Sequence, residues 1–160
     1  MPAIKTFDNQ EINYSFSKGR SSHAIIFIHG LGANLTIWKT EYNYFKGRGY
    51  NVLNFDLQCH GHSSCRKNPG FRQFAKDLNF LVGRLKLKKI ILVGHSLGGL
   101  IALDYYKRYP SKVKAIISID SSYEVSLKSL NPLMPLQFII AKLLAMVPAK
   151  KKNKPSGIDF

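Results

Sequence analysis

Ser96 lies at the centre of a short pattern that could present a serine nucleophile. The residues Gly94-His95-Ser96-Leu97-Gly98 follow a buried-strand pattern and precede a helical pattern. A sharp strand-to-helix turn of this kind strains the serine backbone and lifts its hydroxyl above the edge of the sheet. The start of the following helix then faces any negative charge that develops beside the serine. The pattern predicts acyl transfer at Ser96, against the alternative of a glycine-rich turn with an incidental serine.

The segments around this pattern alternate between strand-like and helix-like character. Continuous apolar runs such as 24–28 are typical of strands buried on both faces of a sheet. Apolar residues recur at helical spacing in 71–85, whereas Pro110 stops the last helix. The predicted strands span 4–8, 11–17, 24–28, 50–57, 89–93 and 113–119, and the predicted helices 36–47, 71–85 and 97–109. This order predicts an α/β fold with a mostly parallel, six-stranded sheet flanked by helices.

Three blocks of residues make the sequence similar to one enzyme family. They are His29-Gly30-Leu31-Gly32 with Trp38 behind it, the block Asp56-Leu-Gln-Cys-His-Gly-His-Ser63, and Gly94-His-Ser-Leu-Gly98. In order and spacing they resemble the α/β-hydrolase superfamily, in its esterase, lipase and C–C hydrolase branch, over about residues 1–125. The resemblance implies an α/β-hydrolase that cleaves a small carboxylic ester through an acyl-enzyme.

The resemblance also implies roles for individual residues. Ser96 matches the nucleophile, and the backbone N–H groups of Leu31 and Leu97 match the donors that hold the oxyanion. The family's site-lining loop usually reads D-x-x-G-x-G-x-S, and here Cys59 replaces its first glycine. The residues expected to contact substrate are His29, Gly30, Gly32 and His95.

The base that should activate Ser96 has no counterpart in the sequence. The family order is serine, then acid, then histidine, but all five histidines here precede Ser96. His60 and His62 lie on a loop near the site and are open alternatives, whereas His29 is expected to shape its own turn. Asp120 ends the last predicted strand and is a candidate acid. A carboxylate without a histidine could not relay the proton.

The pattern changes character after residue 121. Residues 1–121 are predicted to form the hydrolase core, which lacks the family's last strands. Residues 122–160 are predicted to be the start of a helical cap followed by a basic tail. The sequence therefore predicts an enzyme that is incomplete as this chain and needs a complementing chain or a longer protein.

Composition limits the partners of the protein. Lys and Arg number 24 against 9 Asp and Glu, which gives a net charge of +15 over 160 residues. The sequence carries no groove-reading motif, so we expect no nucleic acid partner. The 136–154 segment could contact a membrane surface weakly, and self-association is also expected. No apolar run approaches the roughly 20 residues of a membrane span.

The two cysteines bear on redox state and metal binding. Reduced thiols fit a cytoplasmic protein, and two cysteines exclude a disulfide scaffold. Cys59, His60, His62 and Cys65 could ligate zinc, but four ligands so close together rarely reach tetrahedral geometry. We therefore expect no metal and no cofactor.

Two classes of function remain open from the sequence. The first is a serine hydrolase of the α/β-hydrolase family, acting on a small-molecule ester. The alternative is a catalytically silent remnant of that fold that binds a ligand or another protein. The missing histidine separates the two.

Overall fold

The computed structural model describes residues 3–6, 8–66 and 70–121. Six strands and three α-helices alternate along this part of the chain, as the sequence predicts. The strands are β1 (Ala3–Lys5), β2 (Glu11–Ser17), β3 (His23–Ile28), β4 (Asn51–Phe55), β5 (Lys89–His95) and β6 (Val113–Ile119), and the helices are α1 (Lys39–Gly47), α2 (Phe71–Arg84) and α3 (Leu97–Arg108). The expectations for 122–160, including the cap and the membrane contact through 136–154, lie outside the described residues.

The six strands form one sheet in the order β1-β2-β4-β3-β5-β6. Strands β4, β3, β5 and β6 are parallel, whereas β2 pairs antiparallel with both β1 and β4. Parallel strands end at the same edge of a sheet, so the residues after β3, β4, β5 and β6 come together there. The prediction of an α/β fold with a mostly parallel sheet of six strands is confirmed.

Both faces of the sheet are covered by apolar side chains, which explains the continuous apolar runs. On β3, Ile26 and Ile28 belong to the larger core, in which α2 and α3 also pack. The alternate residues Ile25 and Phe27 belong to a second cluster with Trp38. Side chains of a strand alternate between faces, so one apolar strand supplies both cores.

The structure refines several predicted boundaries. The predicted helix 36–47 is divided into a short 3₁₀ helix, Leu35–Trp38, and α1. Asn34 begins this segment, because its side-chain oxygen accepts a hydrogen bond of 2.9 Å from the Thr36 N–H. The strand predicted over 50–57 ends at Phe55, although the next N–H, that of Asp56, still donates to the Asn13 carbonyl of β2 at 2.9 Å.

Strand β6 is the edge of the sheet in the described part of the chain. It pairs with β5 along its full length, but most of its residues are exposed despite their apolar character. Ile117 is 49% exposed and Ile119 43%. None of the helices described is both long enough and apolar enough to cross a membrane.

Candidate active site

The turn between β5 and α3 holds Ser96 in a strained backbone conformation. Ser96 has φ of 51° and ψ of −117°, a region that a non-glycine residue rarely adopts. A Cβ on Gly94 would overlap the backbone of Gly98, and one on Gly98 would overlap the Ile28 carbonyl. The two glycines therefore allow β5, α3 and β3 to approach closely enough to form the turn.

The chain just after β6 holds this turn in place. The Ser96 N–H donates to the Ile119 carbonyl at 2.9 Å. The Ser121 hydroxyl donates to the Ser96 carbonyl at 2.8 Å, and the Gly99 N–H donates to the same carbonyl at 3.0 Å. Sequence reasoning did not find Ser121, since nothing in its local pattern shows that it reaches a residue 25 positions away.

Ser96 opens into a pocket of about 460 Å³ beside the loop that follows β3. The walls of the pocket are mainly apolar. Leu97 begins α3 next to Ser96, and its N–H is the second expected oxyanion donor, beside that of Leu31. The described residues that line the pocket are Gly30, Leu31, Ala33, Ile37, Trp38, Glu41, His95, Ser96 and Ile119. Four residues predicted for the site, Gly30, Leu31, His95 and Ser96, are thus brought together.

His29 does not line this pocket. Its ring is fully buried, with Nδ1 2.8 Å from the Gly30 carbonyl and Nε2 3.0 Å from the Leu57 nitrogen. Nδ1 must carry the proton, because Nε2 accepts from the Leu57 N–H. Burial lowers the pKa of His29 to about 4, so the ring is neutral at pH 7. Through these two contacts, His29 stabilises its own turn and the backbone of Leu57. Gly32 follows Leu31 in that turn, at φ of 72°.

The loop after β4 is organised by the buried carboxylate of Asp56. Its Oδ1 accepts from the Leu35 N–H at 2.7 Å, and its Oδ2 accepts from Asn13 Nδ2 at 2.7 Å and from the His62 N–H at 2.9 Å. The Ser63 hydroxyl donates to the Asp56 carbonyl at 2.8 Å. These contacts give a physical reason for the spacing of Asp56 and Ser63 in the family-like block.

His60 and His62, the alternative bases, lie on this loop and do not line the Ser96 pocket. The His60 ring is buried, with Nδ1 2.7 Å from the Gln58 carbonyl and its centroid 5.1 Å from that of His29. Burial lowers the pKa of His60 below its ordinary value. His62 is exposed, and its described contact is the one that its backbone makes with Asp56.

The expectation of reduced thiols is wrong for this structure, because Cys59 and Cys65 form a disulfide. Their Cα atoms are 4.1 Å apart across a tight loop. Cys59 has φ of 62°, in the left-handed region that favours glycine. This conformation explains why the related pattern has glycine there, and it turns the cysteine toward Cys65. The joined sulfurs are not thiolates, and no cluster of three or more metal-ligand side chains occurs among the described residues.

His95 is the histidine of the described chain that shares the pocket with Ser96. Its Nε2 lies 3.9 Å from Asp120 Oδ2, and its Nδ1 is buried without a hydrogen-bond partner in the described residues. The Asp120 side chain is 88% exposed. Between Ser96 and the histidines of the described chain, no hydrogen bond is formed. The structure therefore places the candidate acid near His95 but leaves the Ser96 hydroxyl without a base in the part described.

A mostly parallel sheet with a strained serine between β5 and α3 defines an α/β-hydrolase. The family model for the alpha/beta hydrolase fold matches residues 23–148, so the chain belongs to this family.

Relatives with curated names span both enzymes and proteins named without an activity. A Haemophilus influenzae protein that carries the name esterase/lipase is 31% identical over 122 residues, which cover 74% of this chain and 42% of that protein. The human protein ABHD8 is 32% identical over 69% of this chain and 26% of its own length.

Solved structures of esterases share the fold of this chain. An esterase from Exiguobacterium antarcticum superposes with a TM-score of 0.69 at 26% identity, over 76% of this chain and 45% of the esterase. A carboxylesterase structure from Nitrososphaera gargenis shares the fold with a TM-score of 0.75 at 24% identity, over 99% of this chain and 62% of its own. The chain thus spans about a quarter to two thirds of the length of these relatives.

Proposed function

We propose that Ser96 is the nucleophile of a serine hydrolase that acts on a small carboxylic ester. The observation that carries this proposal is the backbone of Ser96, held in a left-handed turn at the mouth of an apolar pocket. Strain of this kind costs about 1–3 kcal/mol and persists where the surrounding structure enforces it. The esterase names of two relatives support the same reaction class.

In the proposed reaction, Ser96 Oγ attacks the carbonyl carbon of the ester and loses its proton to a base. The Leu31 and Leu97 N–H groups then donate to the oxyanion, which is where donors contribute most to lowering the barrier. The tetrahedral intermediate expels the alcohol, which takes up the proton, and leaves the acyl group on Ser96. Water attacks this acyl-enzyme and releases the acid. The apolar lining by Leu31, Ile37 and Trp38 favours an apolar acyl group.

We infer that the base comes from protein outside the described residues. His29 and His60 are buried and hydrogen-bonded to the backbone, and neither lines the pocket. A base supplied by a complementing chain or by a longer form of the protein fits this arrangement. The absence of a histidine hydrogen-bonded to Ser96 in the described part also favours a second candidate, a catalytically silent protein that binds ligand in the same pocket.

The test is hydrolysis of p-nitrophenyl butyrate by the 160-residue chain, by Ser96→Ala and by the control Ser17→Ala, which lies at the opposite edge of the sheet. Loss of the base in a serine protease costs about 10⁶-fold in turnover, whereas the remaining site keeps about 10³–10⁴ over water. We expect slow hydrolysis that Ser96→Ala removes and Ser17→Ala retains.

Two other outcomes would change the assignment. Turnover comparable with that of an ordinary esterase, lost in Ser96→Ala, would mean that the chain contains its own base. Identical rates for the chain and Ser96→Ala, without labelling of Ser96 by a fluorophosphonate in intact-mass analysis, would support the silent alternative.

A further inference from the structure

A second cleft lies at the sheet edge opposite Ser96, where the parallel strands begin. It has a volume of about 450 Å³, within the range of small-molecule sites. One wall is the segment before β3 together with Asn51 at the start of β4, and the other is the connection from α2 to β5. The described residues that line it are Phe16, Lys18, Gly19, Ser21, Ser22, Ala24, Asn51, Leu85, Lys86, Leu87, Lys88 and Lys89.

The charge of this cleft has one sign. Lys18, Lys86, Lys88 and Lys89 line it and are exposed, and none of the described lining residues is Asp or Glu. The sequence contains no acidic residue in 12–40 or in 78–103, the segments that supply nearly all of the lining. Cations near the C-terminus of α2 complement its dipole, which accounts for Lys86. The helix dipole does not account for Lys18, which follows β2, or for Lys89, which begins β5.

Hydrogen bonds fix the backbone of both walls. The Gly19 N–H donates to Asn51 Oδ1 at 2.9 Å, and Asn51 Nδ2 donates to the Ser21 carbonyl at 2.6 Å. On the other wall, Lys86 has φ of 54°, and its N–H donates to the Gly83 carbonyl at 3.0 Å. A cleft whose backbone is already ordered loses less entropy when a ligand binds.

We propose that this cleft binds a small molecule carrying two closely spaced phosphate groups. Each phosphate carries about −1.5 to −2 at neutral pH, so two of them match four lysines in charge. The Ser21 and Ser22 side chains, which both contact His23, add hydroxyl groups to the lining. The apolar side chains of Phe16, Leu85 and Leu87 leave room for an uncharged organic part. The site is independent of the ester chemistry proposed for Ser96, since it lies at the other edge of the sheet.

The experiment is calorimetric titration of the whole chain with inorganic pyrophosphate at low salt. The test variant is Lys88→Gln with Lys89→Gln. The matched control is Lys39→Gln with Lys107→Gln, which removes the same charge from exposed residues outside the cleft. We expect saturable one-to-one binding that weakens by about tenfold or more in the test variant and by less than about threefold in the control. The reason is that direct hydrogen bonds from the cleft lysines are stronger than the long-range attraction of distant surface charges.

Further arms identify the source of the phosphate and guard against misfolding. Lys86→Gly suits the left-handed backbone at that position, so it removes a cleft charge without strain and should also weaken binding. Vesicles of phosphatidylcholine with a phosphoinositide whose head group carries two adjacent phosphates test a lipid source. Pyrophosphate binding alone indicates a soluble ligand, and binding of both, lost together in the test variant, indicates a lipid head group. The proposal is overturned by vesicle binding alone, by equal weakening in both double variants, or by no saturable pyrophosphate binding.

Discussion

Replacing Asp56 by alanine should destabilise the fold more than any change to a surface carboxylate. Asp56 is buried, and its two oxygens accept hydrogen bonds from Leu35, Asn13 and His62. A hydrogen bond to a charged group contributes about 1.5–3 kcal/mol, and the alanine variant leaves three donors unpaired. Water entering the space would recover part of this loss. We therefore expect the free energy of unfolding to fall by about 3–5 kcal/mol.

The assay is urea denaturation followed by far-ultraviolet circular dichroism, with Asp104→Ala as the matched control. Asp104 also loses a carboxylate, but its 2.8 Å ion pair with Arg108 lies on the surface of α3. Such an exposed pair contributes little to stability, because water screens it. A loss of about 3–5 kcal/mol is a large share (roughly a fifth at least) of the 5–15 kcal/mol typical of a domain. If both variants unfold within about 1 kcal/mol of the unchanged chain, the reasoning about the Asp56 loop is refuted.

Three other predictions concern pH, the disulfide and the sheet edge. The folded pKa of His29, about 4, lies below the unfolded value of 6.5, so the unfolded state binds more protons between these values. The free energy of unfolding should therefore fall as the pH drops from 6.5 to 4. Urea titrations at several pH values measure this, and a flat profile would contradict it. Reduction of the Cys59–Cys65 disulfide should lower the free energy of unfolding by about 2 kcal/mol, because the unfolded chain regains the entropy that the short closed loop removes. An unchanged urea midpoint in reductant would refute this. Exposed Ile117 and Ile119 on β6 should promote self-association that increases with salt, as the +15 charge is screened; a sharp monomer at low and high salt in light scattering would contradict this.

The fold could be predicted because its main signals are local in sequence. The apolar run 24–28 reports a strand buried on both faces, and it becomes β3 with its side chains divided between two cores. The helical spacing in 71–85 gives α2 to within one residue. The Gly94 to Gly98 pattern predicts the Ser96 turn, because the steric requirement for Gly94 lies within five residues of chain, although that for Gly98 comes from the distant Ile28.

The contacts that hold the site were not predictable, since they join residues far apart in sequence. Asn13 and Asp56 are 43 residues apart, and Leu35 and Asp56 are 21 apart. The Cys59–Cys65 disulfide was missed for a different reason. A separation of six residues is compatible with free thiols or a bond, and the sequence does not show the left-handed backbone of Cys59 or the 4.1 Å between the two Cα atoms.

A hydrogen bond connects the end of β6 to the backbone of Ser96. The strained backbone of Ser96 is held through its N–H by Ile119, the last residue of β6, and through its carbonyl by Ser121. Asp120, between them, is itself in the left-handed region at φ of 51°. Strain persists only where neighbours enforce it, so fraying of the β6 end would remove two of the hydrogen bonds that hold the Ser96 backbone. Edge strands open more readily than central ones because they are paired on one side. A polypeptide that paired with the edge that β6 presents in the described part of the chain would therefore also stabilise the backbone of Ser96, on which the proposed chemistry depends.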